Sequence, residues 1–212
     1  MSTAAEHANS RVNLGCGQSP TAGWLNLDNS LTVRLARTPL AHLLPGRAAY
    51  VAHVRSHNIR YGNALATGLP SRSIDVLYTS HMLEHLDQAE ARRFLAEALR
   101  VLRPGGILRI AVPDIRLQAE EYLRRGDADW FVAKTRMTTP KPKSLLGRLR
   151  YAFTGFRHHH WMYDAKSLCT LLAEAGFQEP RALPAGETTI PHPGDLNLRE
   201  REHESLYAEG RA

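Results

Sequence analysis

The chain has 212 residues, with 27 Lys and Arg against 21 Asp and Glu and 43% hydrophobic residues. This composition suits one globular domain with its own core and excludes disordered and fibrous proteins. No stretch approaches the roughly 18 apolar residues of a membrane span, and the first residues lack the apolar core of a secretion signal. The length predicts a single domain over residues 1–212. Cys16 and Cys169 are the only cysteines, which predicts free thiols and a cytoplasmic protein.

The order of apolar runs and breaks along the chain predicts alternating strands and helices. Strands are expected at residues 11–14, 24–28, 58–61, 73–79 and 107–112. From Asp87 to Leu102, apolar residues recur at spacings of three and four, which predicts an amphipathic helix that Arg103-Pro-Gly-Gly106 breaks. Asp164 is expected to cap a second helix that Gly176 ends. This alternation predicts an α/β fold with a doubly wound sheet.

The ends of the predicted strands carry residues that suit a nucleoside. The first four strands end in Gly15-Cys16-Gly17, Asp28, Gly62-Asn63 and Ser80-His81. Ligands of doubly wound sheets bind at the carboxyl ends of the strands, where glycine lets the backbone approach the ligand closely. A carboxylate after the second strand can accept hydrogen bonds from both ribose hydroxyls. Together these residues predict an adenosine-binding crevice.

These motifs resemble those of class I S-adenosylmethionine-dependent methyltransferases. Val12-Asn-Leu-Gly-Cys-Gly17 is similar to the first motif of that family, Asp28 to its ribose-binding acid and Gly62-Asn63-Ala64 to its third motif near the adenine. Further likeness in residues 69–86, 101–108, 161–164 and 171–177 extends the resemblance over roughly residues 11–178. It is strongest to a small bacterial branch with Asn-Leu-Gly-Cys-Gly followed by Gly-Trp-x-Asn-x-Asp.

The resemblance implies a Rossmann-like seven-stranded sheet whose last strand is antiparallel, and S-adenosyl-L-methionine as cofactor. The cofactor-binding residues that it implies are Asn13, Gly15, Cys16, Gly17, Asp28, Asn63, Ala64 and Ser80.

Two departures from the family pattern stand out. Gly15 and Asp28 are only 13 residues apart, against about 20 for a strand, helix and strand, so the first crossover helix must be very short or absent. Asn63 stands where an acid is frequent, although its amide oxygen can still accept a hydrogen bond from the adenine amino group. A non-catalytic S-adenosylmethionine-binding protein therefore stays open as a second class of function.

The segment His81-Met82-Leu83-Glu84-His85 offers groups for catalysis. On a helix, the side chains of His81, Glu84 and His85 would share one face. Four interpretations stay open: a helix start that holds neighbouring backbone, a base or substrate clamp, a metal site with His159, and an inverted zinc-peptidase pattern. The metal interpretation resembles the Glu-x-x-Glu-His arrangement with a distal His of small-RNA 2′-O-methyltransferases. We predict that His81, His85 and His159 are catalytic, and we assign no metal ligand.

The acceptor atom is predicted by elimination. Cys16 is expected to be a small side chain in the cofactor turn and Cys169 to lie in the late helix, so no cysteine is a candidate nucleophile. Ser80-His81-Met82 after the fourth strand differs from the Pro-Pro-Tyr-like signature of exocyclic-amine methylation. An oxygen or simple amine of a small acceptor is therefore favoured.

Positive charge is concentrated between Trp130 and Tyr163, where no acidic residue occurs. Seven basic residues lie there: Lys134, Arg136, Lys141, Lys143, Arg148, Arg150 and Arg157. A block of one sign attracts anions, although a solvated loop would also explain it. We predict a lid-like insertion over about residues 115–160 that recognises an anionic acceptor, such as a phosphorylated sugar, nucleotide-sugar, lipid-linked glycan or RNA terminus. An RNA methyltransferase or a basic nucleic-acid-binding module stays open as a further alternative, although a nucleic-acid partner is not favoured. Peripheral contact with an acidic membrane through this segment also stays open.

Overall fold

The computed structural model describes residues 10–39, 41, 46, 48–138 and 158–212, and these contain a seven-stranded sheet flanked by helices. The strands are Arg11–Leu14 (β1), Leu25–Asp28 (β2), Arg60–Tyr61 (β3), Ile74–Ser80 (β4), Leu102–Pro113 (β5), Gln178–Leu183 (β6) and Ser205–Arg211 (β7). Their order is β3-β2-β1-β4-β5-β7-β6, and β7 runs antiparallel to both of its neighbours. The five strands β1 to β5 are parallel. The predicted doubly wound, Rossmann-like sheet is confirmed.

Six α-helices lie in the described part of the chain with residue bounds that the structure defines. They are Leu31–Leu35 (α1), Ala48–Ser56 (α2), Gln88–Val101 (α3), Ile115–Arg125 (α4), Ala128–Thr135 (α5) and Ala165–Glu174 (α6). The two predicted helices correspond to α3 and α6. The α3 helix begins with a capping box, in which the Asp87 carboxylate accepts from Glu90 N and the Glu90 carboxylate accepts from Asp87 N. Asp164 caps α6 as predicted, and its partner in the capping box is Ser167.

The connection between β1 and β2 contains no helix. Its residues are held instead by two buried asparagines. The Nδ2 of Asn13 donates to Ser19 O and to Thr21 Oγ1, both at 3.0 Å, while Asn26 Nδ2 donates to Thr21 O at 2.9 Å. The two asparagine side chains thus provide hydrogen bonds to main-chain carbonyl oxygens of the loop, which in a helix would be bonded by main-chain N–H groups. The first crossover helix, which the sequence predicts to be very short or absent, is absent here.

The strand boundaries differ most from the expectation at the fifth strand, and several elements were not predicted. The prediction places the fifth strand at residues 107–112, whereas β5 begins at Leu102, directly after α3. The sequence did not indicate β6 or β7, because β6 is largely exposed and β7 carries a charged residue inside the sheet. Glu209 of β7 is 2% exposed and pairs with the fully buried Arg109 of β5 at 2.7 Å. Because Glu209 is buried only through its ion pair with a distant strand, the sequence around it does not show that this position lies in the interior.

The predicted lid-like insertion is described only in part. Its first section forms α4 and α5, which the sequence did not predict. Of the seven basic residues between Trp130 and Tyr163, Lys134 and Arg136 are described, and the Lys134 ammonium pairs with Glu204 Oε2 at 2.6 Å. The others lie outside the described residues: Lys141, Lys143, Arg148, Arg150 and Arg157. Within the described part of the chain, no helix combines the length and the apolar character needed to cross a membrane.

Candidate functional site

The carboxyl ends of β1 and β2 are joined by a tight turn. The backbone N–H groups of Gly15 and Cys16 both donate to Leu27 O, at 2.7 and 3.1 Å. Gly15 has a φ of +72°, and a Cβ at this position would lie 2.9 Å from Met82 Cγ. Glycine is therefore required at position 15 for two reasons, the left-handed backbone and the close approach of the segment that follows β4.

Asp28 lies at the end of β2 and faces the same turn. Its Oδ2 accepts from Gly17 N at 3.2 Å and its Oδ1 accepts from Ser30 N at 2.8 Å. Each carboxylate oxygen can accept a further hydrogen bond, so the group can still bind two hydroxyls. Among the described residues other than its chain neighbours, no heavy atom lies within 4 Å of the position that a Cβ on Gly17 would take. We refer to the space beside Gly17 and Asp28, at the carboxyl ends of β1 and β2, as the β1–β2 crevice.

The other residues predicted to bind the cofactor have different surroundings. The buried side chain of Asn13 is occupied by the loop between β1 and β2. Ala64 is part of the main hydrophobic core, so its methyl group packs against protein. The exposed Asn63 accepts a hydrogen bond from Leu65 N at 3.0 Å through its amide oxygen. Ser80 ends β4, and its buried Oγ has no hydrogen-bond partner among the described residues.

Cys16 is a buried thiol in the turn. Burial, followed by the negative charge of Asp28, raises its pKa to about 12. A thiol with this pKa is about one part in 10⁴ thiolate at pH 8, and the thiolate is the reactive form.

We therefore expect Cys16 to resist iodoacetamide at pH 8 in the folded protein and to react once the protein is unfolded in guanidinium. Peptide mass spectrometry of both samples reads the labelling at each cysteine. Rapid labelling of Cys16 in the folded chain would contradict this account of the turn.

A second group of side chains assembles just after β4. His81 has a φ of +50°, and its backbone N–H donates to Ala111 O in β5 at 2.9 Å. Its imidazole lies between two partners, with Nδ1 at 3.3 Å from Glu84 Oε1 and Nε2 at 3.0 Å from Ser205 Oγ. His81 is thus held between the segment after β4 and the first residue of β7.

This segment does not form the regular helix on which His81, Glu84 and His85 would share one face. The chain turns sharply at His81, and only Leu83–His85 form a short 3₁₀ turn. His81 and Glu84 meet as expected, but His85 Nδ1 lies 3.1 Å from the carbonyl oxygen of His158. The difference arises because β4 must end and reverse direction before α3 can begin at Gln88.

Glu84 is the centre of this group and is 1% exposed. His159 Nε2 lies 3.9 Å from Glu84 Oε1, and the rings of His85 and His159 meet edge to face with centroids 5.1 Å apart. The main-chain oxygen of Glu84 accepts from His160 N and Trp161 N, at 2.7 and 3.2 Å. The structure therefore brings together the Glu84 cluster, by which we mean His81, Glu84, His85 and His159.

Burial also affects the groups around the cluster. It lowers the pKa of His159, against the opposing charge of Glu84, so that the imidazole is held in its neutral form at lower pH than usual. Burial and then the Glu84 charge raise the pKa of Tyr163 to about 12. Sequence reasoning missed Tyr163 and Ser205 as neighbours of the cluster, because only the pairing of distant segments places them there.

The class of protein is indicated by sequence and fold together. Residues 12–110 match the sequence model of a family described as a methyltransferase domain. A probable S-adenosylmethionine-dependent methyltransferase of Mycolicibacterium smegmatis is 44% identical over 71 residues, which cover 31% of this chain and 26% of that protein. One of Mycobacterium tuberculosis is 41% identical over 69 residues, which cover 30% of this chain and 24% of that protein. The chain spans about a quarter of the length of these curated relatives.

Solved methyltransferases share the fold over nearly the whole chain. A SAM-dependent methyltransferase of Methanosarcina mazei has a TM-score of 0.54 at 17% identity and covers 97% of this chain and 94% of its own. A SAM-dependent methyltransferase of Thermotoga maritima, described as a possible histamine N-methyltransferase, has a TM-score of 0.50 at 18% identity, with coverages of 98% and 87%. At these identities the likeness concerns the fold. Together, these matches show a likeness to methyltransferases in sequence over residues 12–110 and in fold over nearly the whole chain.

Proposed function

We propose that this chain transfers a methyl group from S-adenosylmethionine to an oxygen or nitrogen of a small anionic or glycan-type acceptor. The observation that carries the proposal is the β1–β2 crevice, where a carboxylate and open space lie side by side. The Asp28 carboxylate keeps free lone pairs next to Gly17, which presents no side chain to a ligand. This combination suits the ribose and the backbone approach that a nucleoside needs.

In the proposed reaction, the main task of the protein is to align the methyl group of the cofactor with the acceptor atom. The cofactor supplies an activated sulfonium methyl, and alignment with the acceptor is worth up to about 7–11 kcal/mol. The crevice and the Glu84 cluster adjoin, because Gly15 and Met82 are in contact range at the same edge of the sheet. A positioned base adds roughly 10²–10⁴-fold when the acceptor must lose a proton. His81 is our candidate for this base or for a clamp, with Glu84 Oε1 3.3 Å from its Nδ1.

The preference for an anionic acceptor rests on charge. In the sequence, seven basic residues and no acidic residue lie between Trp130 and Tyr163. Guanidinium groups bind phosphate and carboxylate in bidentate fashion, which favours a phosphorylated sugar, nucleotide-sugar or lipid-linked glycan. Arg148 and Arg150 lie outside the described residues, so their part in this proposal is argued from the sequence.

Replacing both Arg148 and Arg150 with alanine should raise the acceptor KM about tenfold or more, since each hydrogen bond to a charged group contributes roughly 1.5–3 kcal/mol. The cofactor Kd should not change. The matched control replaces Arg124 and Arg125, which already pair with Glu121. Steady-state kinetics with each variant checks this, and equal KM values in all three proteins would remove the anionic acceptor from the proposal.

The function itself is tested in two steps. Calorimetric titration with S-adenosylmethionine and S-adenosylhomocysteine measures binding, and transfer of a labelled methyl group to phosphorylated sugars, nucleotide-sugars, neutral sugars and RNA measures turnover. We expect binding, and turnover with an anionic sugar derivative. Binding without turnover on any acceptor would favour the non-catalytic alternative, and turnover on RNA alone would replace the acceptor class. Absence of binding would refute the proposal.

A further inference from the structure

Glu84 is a buried carboxylate with no hydrogen bond. Its side chain is 1% exposed, and neither carboxylate oxygen has a hydrogen-bond partner among the described residues. An ionised carboxylate in such surroundings is strongly unfavourable unless a positive charge compensates it. The groups that surround Glu84 Oε1 are imidazoles, with His81 Nδ1 at 3.3 Å and His159 Nε2 at 3.9 Å. Buried carboxylates next to imidazoles are compensated by a proton or by a metal ion.

The orientation of His85 favours the metal ion. Its Nδ1 lies 3.1 Å from the main-chain oxygen of His158. A carbonyl oxygen can only accept, so Nδ1 carries the proton and the lone pair of Nε2 is left for another partner. Histidines that bind metals through one nitrogen usually donate the other to a carbonyl or carboxylate. His85 already has this outer contact.

The distances allow one ion to be shared. Glu84, His85 and His159 each offer one ligand atom, and these three atoms lie within 4.8 Å of one another. Around an ion with bonds of about 2.0–2.2 Å, tetrahedral ligand atoms are roughly 3.3–3.5 Å apart. Small side-chain movements therefore suffice, and the partly exposed His85 provides a route of entry. His81 stays outside the ligand set, because its two nitrogens face Glu84 and Ser205.

We propose that Glu84, His85 and His159 bind one divalent transition-metal ion, with Zn²⁺ as the ion that fits best. Two imidazoles and one carboxylate suit Zn²⁺ and its borderline neighbours better than Mg²⁺ or Ca²⁺, which prefer oxygen ligands. Three protein ligands leave a tetrahedral ion with one position for water, as in zinc sites of the open kind.

The test titrates the full chain, freed of metal with a chelator, with ZnCl₂ by calorimetry and with CoCl₂ by visible absorption. We expect one tight Zn²⁺ and intense d–d bands of tetrahedral Co²⁺. His85→Ala and Glu84→Gln should each weaken Zn²⁺ binding at least about 100-fold, above the roughly 10–100-fold typical of losing an outer contact. His85→Ala changes a partly exposed side chain, so it keeps the test valid if Glu84→Gln fails to fold.

Two control variants make the result specific. His160→Ala removes a neighbouring histidine whose ring lies tilted against that of His158, with centroids 4.4 Å apart, and the variant should bind Zn²⁺ normally. His57→Ala disrupts a histidine pair on the surface, where the rings of His53 and His57 lie 4.3 Å apart. Zn²⁺ binding that is lost in His57→Ala but kept in His85→Ala would overturn the proposal, as would no binding at all. Because neither cofactor nor acceptor is present, the outcome is independent of the proposed methyl transfer.

Discussion

Gly17→Ala should weaken S-adenosylmethionine binding roughly 10- to 100-fold while leaving the chain folded. The added methyl group meets no atom within 4 Å in the part of the chain that the structure describes, apart from its chain neighbours. In the free protein it therefore costs mainly the left-handed backbone strain of about 1–2 kcal/mol. In the complex it occupies the space that we assign to the nucleoside, and overpacking of a filled site costs roughly 1–3 kcal/mol. Calorimetry and thermal unfolding measure the two effects separately.

Gly23→Ala is the matched control for this variant. Gly23 has a φ of +73°, against +52° at Gly17, and a Cβ there would also meet no described atom within 4 Å other than those of its chain neighbours. It lies before β2, at the opposite edge of the sheet from the crevice. We expect a similar loss of stability and an unchanged cofactor Kd. Equal cofactor affinities in the two alanine variants would place the nucleoside away from Gly17.

Asp28→Asn should reduce the affinity for S-adenosylmethionine about 100-fold or more. The carboxylate can accept from both ribose hydroxyls, and a hydrogen bond to a charged group contributes roughly 1.5–3 kcal/mol. The asparagine amide also points a donor at one of two backbone donors, because Gly17 N and Ser30 N each bond to a different carboxylate oxygen. The variant therefore loses the negative charge and one of the two hydrogen bonds that orient the side chain.

Asp75→Asn serves as the comparison for Asp28. Asp75 belongs to β4 and pairs with Arg103 at 2.6 Å on an exposed surface, where a salt bridge contributes at most about 1 kcal/mol. Calorimetric titration of both variants should show loss of affinity only in Asp28→Asn. An unchanged Kd in Asp28→Asn would mean that the ribose is bound by other residues.

The sequence predicts the fold best where local patterns decide it. The strands that lead to the crevice have short apolar runs, and α3 has both a capping box and an apolar stripe. The pairing of Arg109 with Glu209 shows the opposite case. Each residue looks like a surface charge in its own segment, and only their contact across β5 and β7 makes them part of the interior.

The candidate site was predicted unevenly for the same reason. The turn of Gly15 to Gly17 and the acid at position 28 come together because adjacent parallel strands end at one edge of the sheet. The contact of His159 with Glu84 joins segments 75 residues apart in the sequence, and no local periodicity records it. The left-handed conformation of His81, which replaces the expected helical face, is imposed by the turn between β4 and α3.

The measurement that tests the central claim most directly is a crystal structure of the chain with S-adenosylhomocysteine. The account predicts that the ribose hydroxyls lie within hydrogen-bond distance of the Asp28 carboxylate and that the nucleoside passes over Gly17. A ligand bound elsewhere, with the β1–β2 crevice filled by protein side chains, would contradict it.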